Sequence, residues 1–207
     1  MKLFLFSLVV LSVGLGIGFF LGRKKTSKFE FQDHLHRLDL LTTLGQLAAG
    51  FDLHEPSGQT QTNIKDTLSL LIKEVQEKVH FRHIEMSLQF LDSLPWVLIP
   101  EATFKHIILD VLLNAIEALP KGGKITIRTS LKDEMVKIEI QDNGIGIPKE
   151  YLARIFDPFF TTKTSGTGLG LSTCKDLVEQ HRGKIFISSV ENGGTLVSLY
   201  LPGRFDS

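Results

Sequence analysis

Residues 154–171 read RIFDPFFTTKTSGTGLGL, and the fold assignment rests first on this segment. Its glycines and threonines are predicted to lead into a helix. Free backbone N–H groups at a helix start, together with the helix dipole, form an anion site, and Lys163 adds a positive charge. The glycine spacing matches neither the dinucleotide fingerprint nor the P-loop. The stretch therefore predicts a loop that covers an anion, with its phenylalanines as anchors.

A second block, residues 142–148, reads DNGIGIP and follows a predicted strand. Its two glycines allow positive φ and a close approach of the backbone to a planar ligand. The carboxylate of Asp142 at the strand end can accept a hydrogen bond from an amine such as the adenine 6-amino group. The pattern also fits a plain turn, so this block alone leaves both interpretations open.

A third block lies on a predicted helix, where Asp110, Asn114 and Glu117 are four and three residues apart and share one face. Apolar side chains fill the other side. Such a trio can be a solvated face, and it can also present oxygens to a hard cation. The helix alone does not decide between these two interpretations.

Hydrophobic periodicity predicts the surrounding elements. Period-two alternation indicates strands at 84–90, 96–99, 124–131, 135–141, 184–190 and 195–201. Helices are predicted at 101–119 and from about 168 to 181. Helices segregated from hairpins around a mixed sheet give an α/β fold, a two-layer α/β sandwich.

In order, spacing and wording, these blocks resemble the N, G1, F and G2 boxes of the ATP-binding catalytic domain of sensor histidine kinases, of the nitrogen-regulator type. The resemblance covers roughly residues 82–202 and implies the Bergerat (GHKL) ATPase fold. It implies that Asn114 ligates a Mg²⁺ ion that bridges the phosphates of ATP. Asp142 is then expected to read the adenine amine, with Thr195 supporting it through water and with Gly144 and Gly146 lining the base.

The same resemblance implies a lid over the phosphates. The ATP-binding residues implied in this way are Asp110, Asn114, Glu117, Asp142, Gly144, Gly146, Phe160, Thr162, Lys163, Gly166, Thr167, Gly168, Leu169, Gly170, Leu171 and Thr195. Asp110 departs from the family, which usually has a second asparagine there. An additional anionic oxygen near the metal is expected to alter the affinity for Mg²⁺ or phosphate.

The family's phosphoacceptor is a helical histidine followed by an acid, which orients or deprotonates the ring. Residues 44–50, LGQLAAG, resemble the approach to it, and His54 with Glu55 is the predicted catalytic pair. One extra residue precedes this pair, and Pro56 follows it too early. The alternative is a solvated loop histidine in a decayed motif. The remaining histidines show no acid partner in a helical context that would let them react.

The region before the ATP-binding domain is short. Only 60 residues separate His54 from Asn114, roughly half of what the resemblance implies. Two helical segments, at 26–50 and 64–79, are predicted to form an antiparallel hairpin, with a spacer stalk as the alternative. We assign residues 26–80 to this dimerisation and phosphoacceptor-like hairpin and residues 81–207 to the ATP-binding domain.

The chain opens with an apolar segment. Residues 3–22 carry no charge, and a helix of this length is about 30 Å long, which matches the hydrocarbon core of a bilayer. The basic run at 23–25 follows, so residues 1–25 are predicted to be a single-pass anchor in the cell (inner) membrane, with the rest of the chain cytoplasmic. A cleaved signal peptide is the alternative. Glycines at 14, 18 and 22 share a helix face and favour a homodimer.

Composition narrows the function. Lys and Arg total 23, as do Asp and Glu, which argues against a nucleic-acid partner. A single cysteine excludes an internal disulfide framework. The leading hypothesis is a membrane-anchored histidine kinase of a two-component system that uses ATP and Mg²⁺ and has a response regulator as partner. The alternative is an ATP-binding interaction module that regulates a partner kinase or response regulator without phosphorylating itself.

Overall fold

The computed structural model describes residues 61–79, 82–163 and 167–204. The helices and strands in these ranges are α1 (Ile64–Val79), β1 (Ile84–Gln89), β2 (Trp96–Val97), α2 (Glu101–Glu117), β3 (Gly123–Lys132), β4 (Met135–Asp142), α3 (Gly170–Gln180), β5 (Lys184–Val190) and β6 (Gly194–Arg204). Every strand and helix predicted from residue 82 onward is present, with bounds that differ by at most three residues.

The strands form one six-stranded mixed sheet in the order β1-β3-β4-β6-β2, with β5 also paired to β6. β1 runs parallel to β3, and the other pairs are antiparallel. Ile127, Ile140 and Val197 stand side by side in this register and are buried. Lys137 and Glu139 alternate with buried neighbours in β4, so the opposite face is partly exposed. The predicted α/β sandwich is confirmed.

Helix α2 carries the apolar stripe that attaches the helical layer to the sheet. Its residues Phe104, Ile107, Ile108 and Ile116 are fully buried, and the helix packs against β4 and α3. Burial of each such side chain contributes about 1.5–3 kcal/mol relative to exposure. This attachment fixes which way the polar face of α2 points.

Helix α1, which the sequence predicts as one arm of the hairpin, packs against β1 and α2. Leu68, Leu71 and Val75 bury one face of this helix. The chain is tied down just before it, because Thr62 exchanges two backbone hydrogen bonds with Val97, at 2.9 and 3.0 Å. The other predicted arm of the hairpin lies outside the described residues, so the hairpin stays a prediction.

The predicted membrane segment at 3–22 also lies outside the described residues. Across 61–79, 82–163 and 167–204, no helix combines the length and the apolar character that a membrane span requires.

Candidate functional site

Asp142, the last residue of β4, provides a buried carboxylate at the edge of the site. The residue is 5% exposed. Its Oδ1 accepts hydrogen bonds from the backbone N–H of Gly144 at 2.8 Å and of Thr195 at 3.3 Å. Burial raises the pKa of Asp142, and these backbone donors offset part of that rise. Among the described residues both bonds fall on Oδ1, so Oδ2 can accept a hydrogen bond from a ligand.

The loop that follows β4 is held against α2 and β5. The backbone N–H of Ile145 donates to the carbonyl oxygen of Ala118 at 3.0 Å. Gly144 lies so close to Ala118 that a Cβ would overlap the Ala118 carbonyl group. Gly146 has a φ of +65°, and a Cβ there would overlap the carbonyl oxygen of Val190. Both glycines are therefore required by the path of the loop.

Ser189 of β5 ties this loop to the sheet, and the sequence prediction missed it. Its hydroxyl oxygen accepts a hydrogen bond from the N–H of Ile147 at 2.8 Å and lies 2.9 Å from Thr195 Oγ1. Thr195 in turn bonds Asp142 directly through its backbone N–H. Ser189 and Ile147 are 42 positions apart in the chain, so no local sequence pattern predicts their contact. The hairpin register, which pairs Ser189 with Thr195, is the signal that points to it.

Two of the three polar residues predicted on α2, Asn114 and Glu117, bind the ammonium group of Lys163 from the lid. Lys163 Nζ donates to Asn114 Oδ1 at 2.8 Å and also bonds Glu117 Oε2. The Glu117 side chain is 12% exposed and that of Lys163 is 33% exposed. Amide and carboxylate oxygens are also the groups that bind Mg²⁺ in proteins. Asn114 and Glu117 therefore fit the ion that the resemblance implies.

The third residue, Asp110, lies near the start of α3. Its Oδ2 is 3.4 Å from His106 Nε2 and 3.8 Å from Cys174 Sγ, and a Cβ at Gly170 would lie 3.8 Å from it. The pKa of Asp110 is raised overall, because desolvation by burial outweighs the lowering effects of the neighbouring His106 and of the hydrogen bond from Cys174. His106 thus has an acid partner on the same helix, which the sequence prediction did not identify, and its lack of a context that would let it react stays a prediction. The i,i+4 spacing on α2 is the signal that could have found the pair.

The remaining lid residues follow one loop into α3. The ring of Phe160 packs 5.8 Å from that of Tyr151, and the guanidinium of Arg154 lies 4.5 Å above it, so this phenylalanine does anchor the loop. The others are exposed or half-exposed and comprise Thr162, Thr167, Gly168, Leu169, Gly170 and Leu171. Three predicted site residues lie outside the described part of the chain: His54, Glu55 and Gly166.

Helix α2 arranges these groups in order. Ala118, which directly follows α2, meets the loop of Gly144 and Gly146, which begins just after the buried carboxylate of Asp142. Glu117 directly precedes Ala118 and Asn114 lies about one turn back; both bind the Lys163 ammonium, and one further turn back Asp110 lies beside Gly170. The groups follow one another along about 12 Å of helix axis. The site thus offers, in this order, an acceptor for an amine, a cation site and a glycine-rich helix start. This order suits an extended nucleoside triphosphate.

Comparison with known proteins agrees with this arrangement. The sequence profile of the family described as histidine kinase-, DNA gyrase B- and HSP90-like ATPase matches residues 100–204. Sporulation kinase E of Bacillus subtilis (strain 168) is 34% identical over 153 residues, which are 73% of this chain and 20% of that kinase. Sensor histidine kinase ZraS of Escherichia coli (strain K12) is 30% identical over 251 residues, covering 96% of this chain and 54% of ZraS. The chain thus spans between a fifth and about half of the length of these relatives.

Solved structures show the same fold. The catalytic domain of histidine kinase ThkA has a TM-score of 0.63 at 32% identity and covers 70% of this chain and 95% of that domain. Histidine kinase ThkA in complex with response regulator protein TrrA has a TM-score of 0.65 at 24% identity, over 95% of this chain and 57% of that one, which supports the fold alone. The chain therefore belongs to the family of histidine kinase-, DNA gyrase B- and HSP90-like ATPases, on its sensor histidine kinase branch.

Proposed function

We propose that this chain is a membrane-anchored histidine kinase that binds Mg·ATP and transfers the γ-phosphoryl group to histidine. The observation that carries nucleotide binding is Asp142, a buried carboxylate whose Oδ1 is fixed by two backbone N–H groups. An acceptor that is fixed in this way suits the 6-amino group of adenine. The loop of Gly144 and Gly146 beside it is seated closely against Ala118 and Val190, because neither glycine has a side chain, and it would form one wall of the adenine pocket.

The phosphate end of the site is supplied by α2 and the lid. Asn114, with Glu117, would hold Mg²⁺, which when bound neutralises charge on the transferring phosphoryl group. Among the described residues no group of three or more His, Cys, Asp or Glu could hold an ion together, which fits a metal that binds jointly with the phosphates. The backbone N–H groups at the start of α3 favour an anion, and Lys163 adds a positive charge from the lid.

His54, oriented by Glu55, is the proposed phosphoacceptor, and a response-regulator aspartate would receive the group from it. The match with ZraS runs over 251 residues, whereas this chain has 207, which is compatible with a shortened acceptor region. ZraS therefore has residues within the aligned region that this chain lacks. For this reason the ATP-binding interaction module, which regulates a partner without phosphorylating itself, remains the alternative.

Incubation of the purified chain with γ-labelled ATP and Mg²⁺ is expected to leave acid-labile label on the wild type and none on His54→Gln. The label is acid-labile because a phosphoryl group on an imidazole nitrogen is readily hydrolysed. His83→Gln, at an exposed position in a turn, is the matched control and is expected to keep the label. A wild type that binds ATP but carries no label contradicts the kinase proposal and supports the interaction module.

A second candidate function is ATP hydrolysis, in which water replaces histidine as the acceptor. The observation that favours it is the pair of His106 and Asp110 at the phosphate end of α2, one turn before Asn114. A half-buried carboxylate with a raised pKa is suited to take a proton. Asp110 would accept a proton as the water oxygen bonds to the γ-phosphorus and the bond to the bridging oxygen breaks, which releases ADP and phosphate. His106 is 40% exposed and would pass the proton to solvent.

Asp110→Asn is expected to lower ATP-dependent phosphate release by about 100-fold, because it removes the proton acceptor. ATP binding is expected to be retained, since a negative charge near the phosphates is removed. Phosphate release is measured by a coupled assay, and Asp176→Asn, at an exposed position on α3, is the control. Undiminished release by Asp110→Asn, or no release by the wild type, excludes this second function.

Location and partners are further proposals. The charge-free run at 3–22 and the basic residues after it support a single-pass anchor in the cell (inner) membrane with the ATP-binding domain in the cytoplasm. The proposed order is the anchor at 1–25, a dimerisation and phosphoacceptor-like region at 26–80 and the ATP-binding domain at 81–207, with α1 contributing to the core of the last. A response regulator or a partner kinase, and a second copy of the chain, are the proposed partners.

A further inference from the structure

Among the described residues, the side chain of Lys163 makes its contacts across the site, on α2. Its Nζ reaches Asn114 and Glu117, which lie 49 and 46 residues earlier in the chain. The backbone N–H of Lys163 donates to Thr161 Oγ1 at 3.1 Å, which holds the turn that presents the lysine. An ammonium group has three donors and no acceptor, and like a small metal cation it binds oxygen. The lysine therefore satisfies the same two oxygens that fit Mg²⁺.

We propose that Lys163 is a tethered cation that fills the metal position of the nucleotide-free protein, so that Mg²⁺ must displace it from Asn114 and Glu117. The inference rests on the proposed function, because it concerns the regulation of that same site. Lys163 then keeps a bare metal ion from these two oxygens and yields them to a metal that arrives with a nucleotide.

The burial of Glu117 determines that a cation must stand beside its carboxylate. The Glu117 carboxylate is 12% exposed, and a carboxylate withdrawn from water to this extent is costly unless a cation pairs with it. Lys163 supplies that pairing in this structure. A divalent ion at the same oxygens would stand next to the ammonium and repel it. Lysine and metal are therefore alternatives at this position.

Once Mg²⁺ has displaced it from Asn114 and Glu117, Lys163 can donate charge-assisted hydrogen bonds from the lid to the phosphates. Loss of the lysine charge should therefore act in opposite directions on two affinities. A bare divalent ion should bind more tightly, because its competitor is gone. Mg·ATP should bind more weakly, because the phosphates lose a cation. A lysine that only supported the lid structurally would not strengthen metal binding when removed.

The test measures Mn²⁺ binding to the nucleotide-free full chain, from the electron paramagnetic resonance signal of free Mn²⁺, and Mg·ATP binding by titration calorimetry. Lys163→Met is expected to bind Mn²⁺ about tenfold more tightly and Mg·ATP about tenfold more weakly, as for the loss of one charge-assisted contact. Lys163→Arg keeps the charge and is expected to keep weak Mn²⁺ binding. Lys149→Met, at an exposed lysine, is expected to change neither affinity.

Equal Mn²⁺ affinity in the wild type and in Lys163→Met, or weaker Mn²⁺ binding by the variant, overturns the role proposed for Lys163. If the wild type still binds Mg·ATP in that case, the proposed function stands. Failure of the wild type to bind Mg·ATP overturns the proposed function separately, and the Mn²⁺ comparison still decides whether the lysine holds the cation position. Thermal melting of each variant verifies that the domain is folded.

Discussion

Replacing Asp142 by asparagine is expected to weaken ATP binding roughly 30- to 100-fold, the size of losing one hydrogen bond to a buried charged group. The carboxylate offers acceptors on both oxygens, and two backbone N–H groups already occupy Oδ1. An asparagine that keeps those two bonds turns its NH₂ group toward the adenine amine, so that donor faces donor. Titration calorimetry with ATP measures the loss, and GTP serves as the comparison nucleotide, because the preference for adenine should also disappear.

The pH dependence of this affinity provides a second measurement on the same pair of proteins. Burial raises the pKa of Asp142, so on acidification this carboxyl is protonated before ordinary aspartates are. A protonated carboxyl no longer accepts on both oxygens, and the wild-type affinity should therefore fall as the pH is lowered through the raised pKa. Asp142→Asn has no titrating group at this place and should show a flatter profile. An unchanged ATP affinity in Asp142→Asn would count against the adenine site.

Gly146→Ala is expected to destabilise the domain by about 3 kcal/mol and to abolish nucleotide binding. Gly146 has a φ of +65°, which side-chain-bearing residues rarely adopt, and its Cβ would overlap the Val190 carbonyl oxygen. The loop cannot move away easily, because Ile145 is bonded to α2 and Ile147 to Ser189. Denaturant unfolding followed by circular dichroism measures the change in stability.

Gly170→Ala is the matched control, from a glycine of the same predicted site. A Cβ at Gly170 would meet Asp110 at 3.8 Å, an ordinary contact. Gly170 is the first residue of α3 and is not among the glycines with positive φ, so this variant should be about as stable as the wild type. If Gly146→Ala unfolds at the same denaturant concentration as Gly170→Ala, the tight docking of the loop is contradicted.

The sheet and its helices follow from local periodicity. Ile125 and Ile127 alternate with polar residues in β3, as Val136, Ile138 and Ile140 do in β4, and the structure buries all five. Alternation of this kind states which face of a strand is buried, and turn residues between the strands fix the hairpins. For the same reason, the residues that sit at element ends, such as Asp142, could be placed from the sequence.

Contacts between distant elements could not be placed in this way. The apolar stripe of α1 predicts that one face of the helix is buried, but it does not predict which surface covers that face. In the structure, β1 and α2 cover it. Lys163 could be assigned to the lid, yet its contact with Asn114 spans 49 residues and depends on the complete fold. His106 differs from these cases, because its partner is four residues away and the spacing was readable.

The single thiol of the chain lies where α2 and α3 meet. Cys174 is fully buried, its Sγ lies 3.6 Å from the carbonyl oxygen of Ile107, and burial raises its pKa. Thiol reagents attack the thiolate, so alkylation of Cys174 requires the two helices to separate first. The rate of labelling therefore reports the opening free energy of this junction. The protein thus contains a native probe that can time helix separation with and without nucleotide, and no label has to be engineered into it.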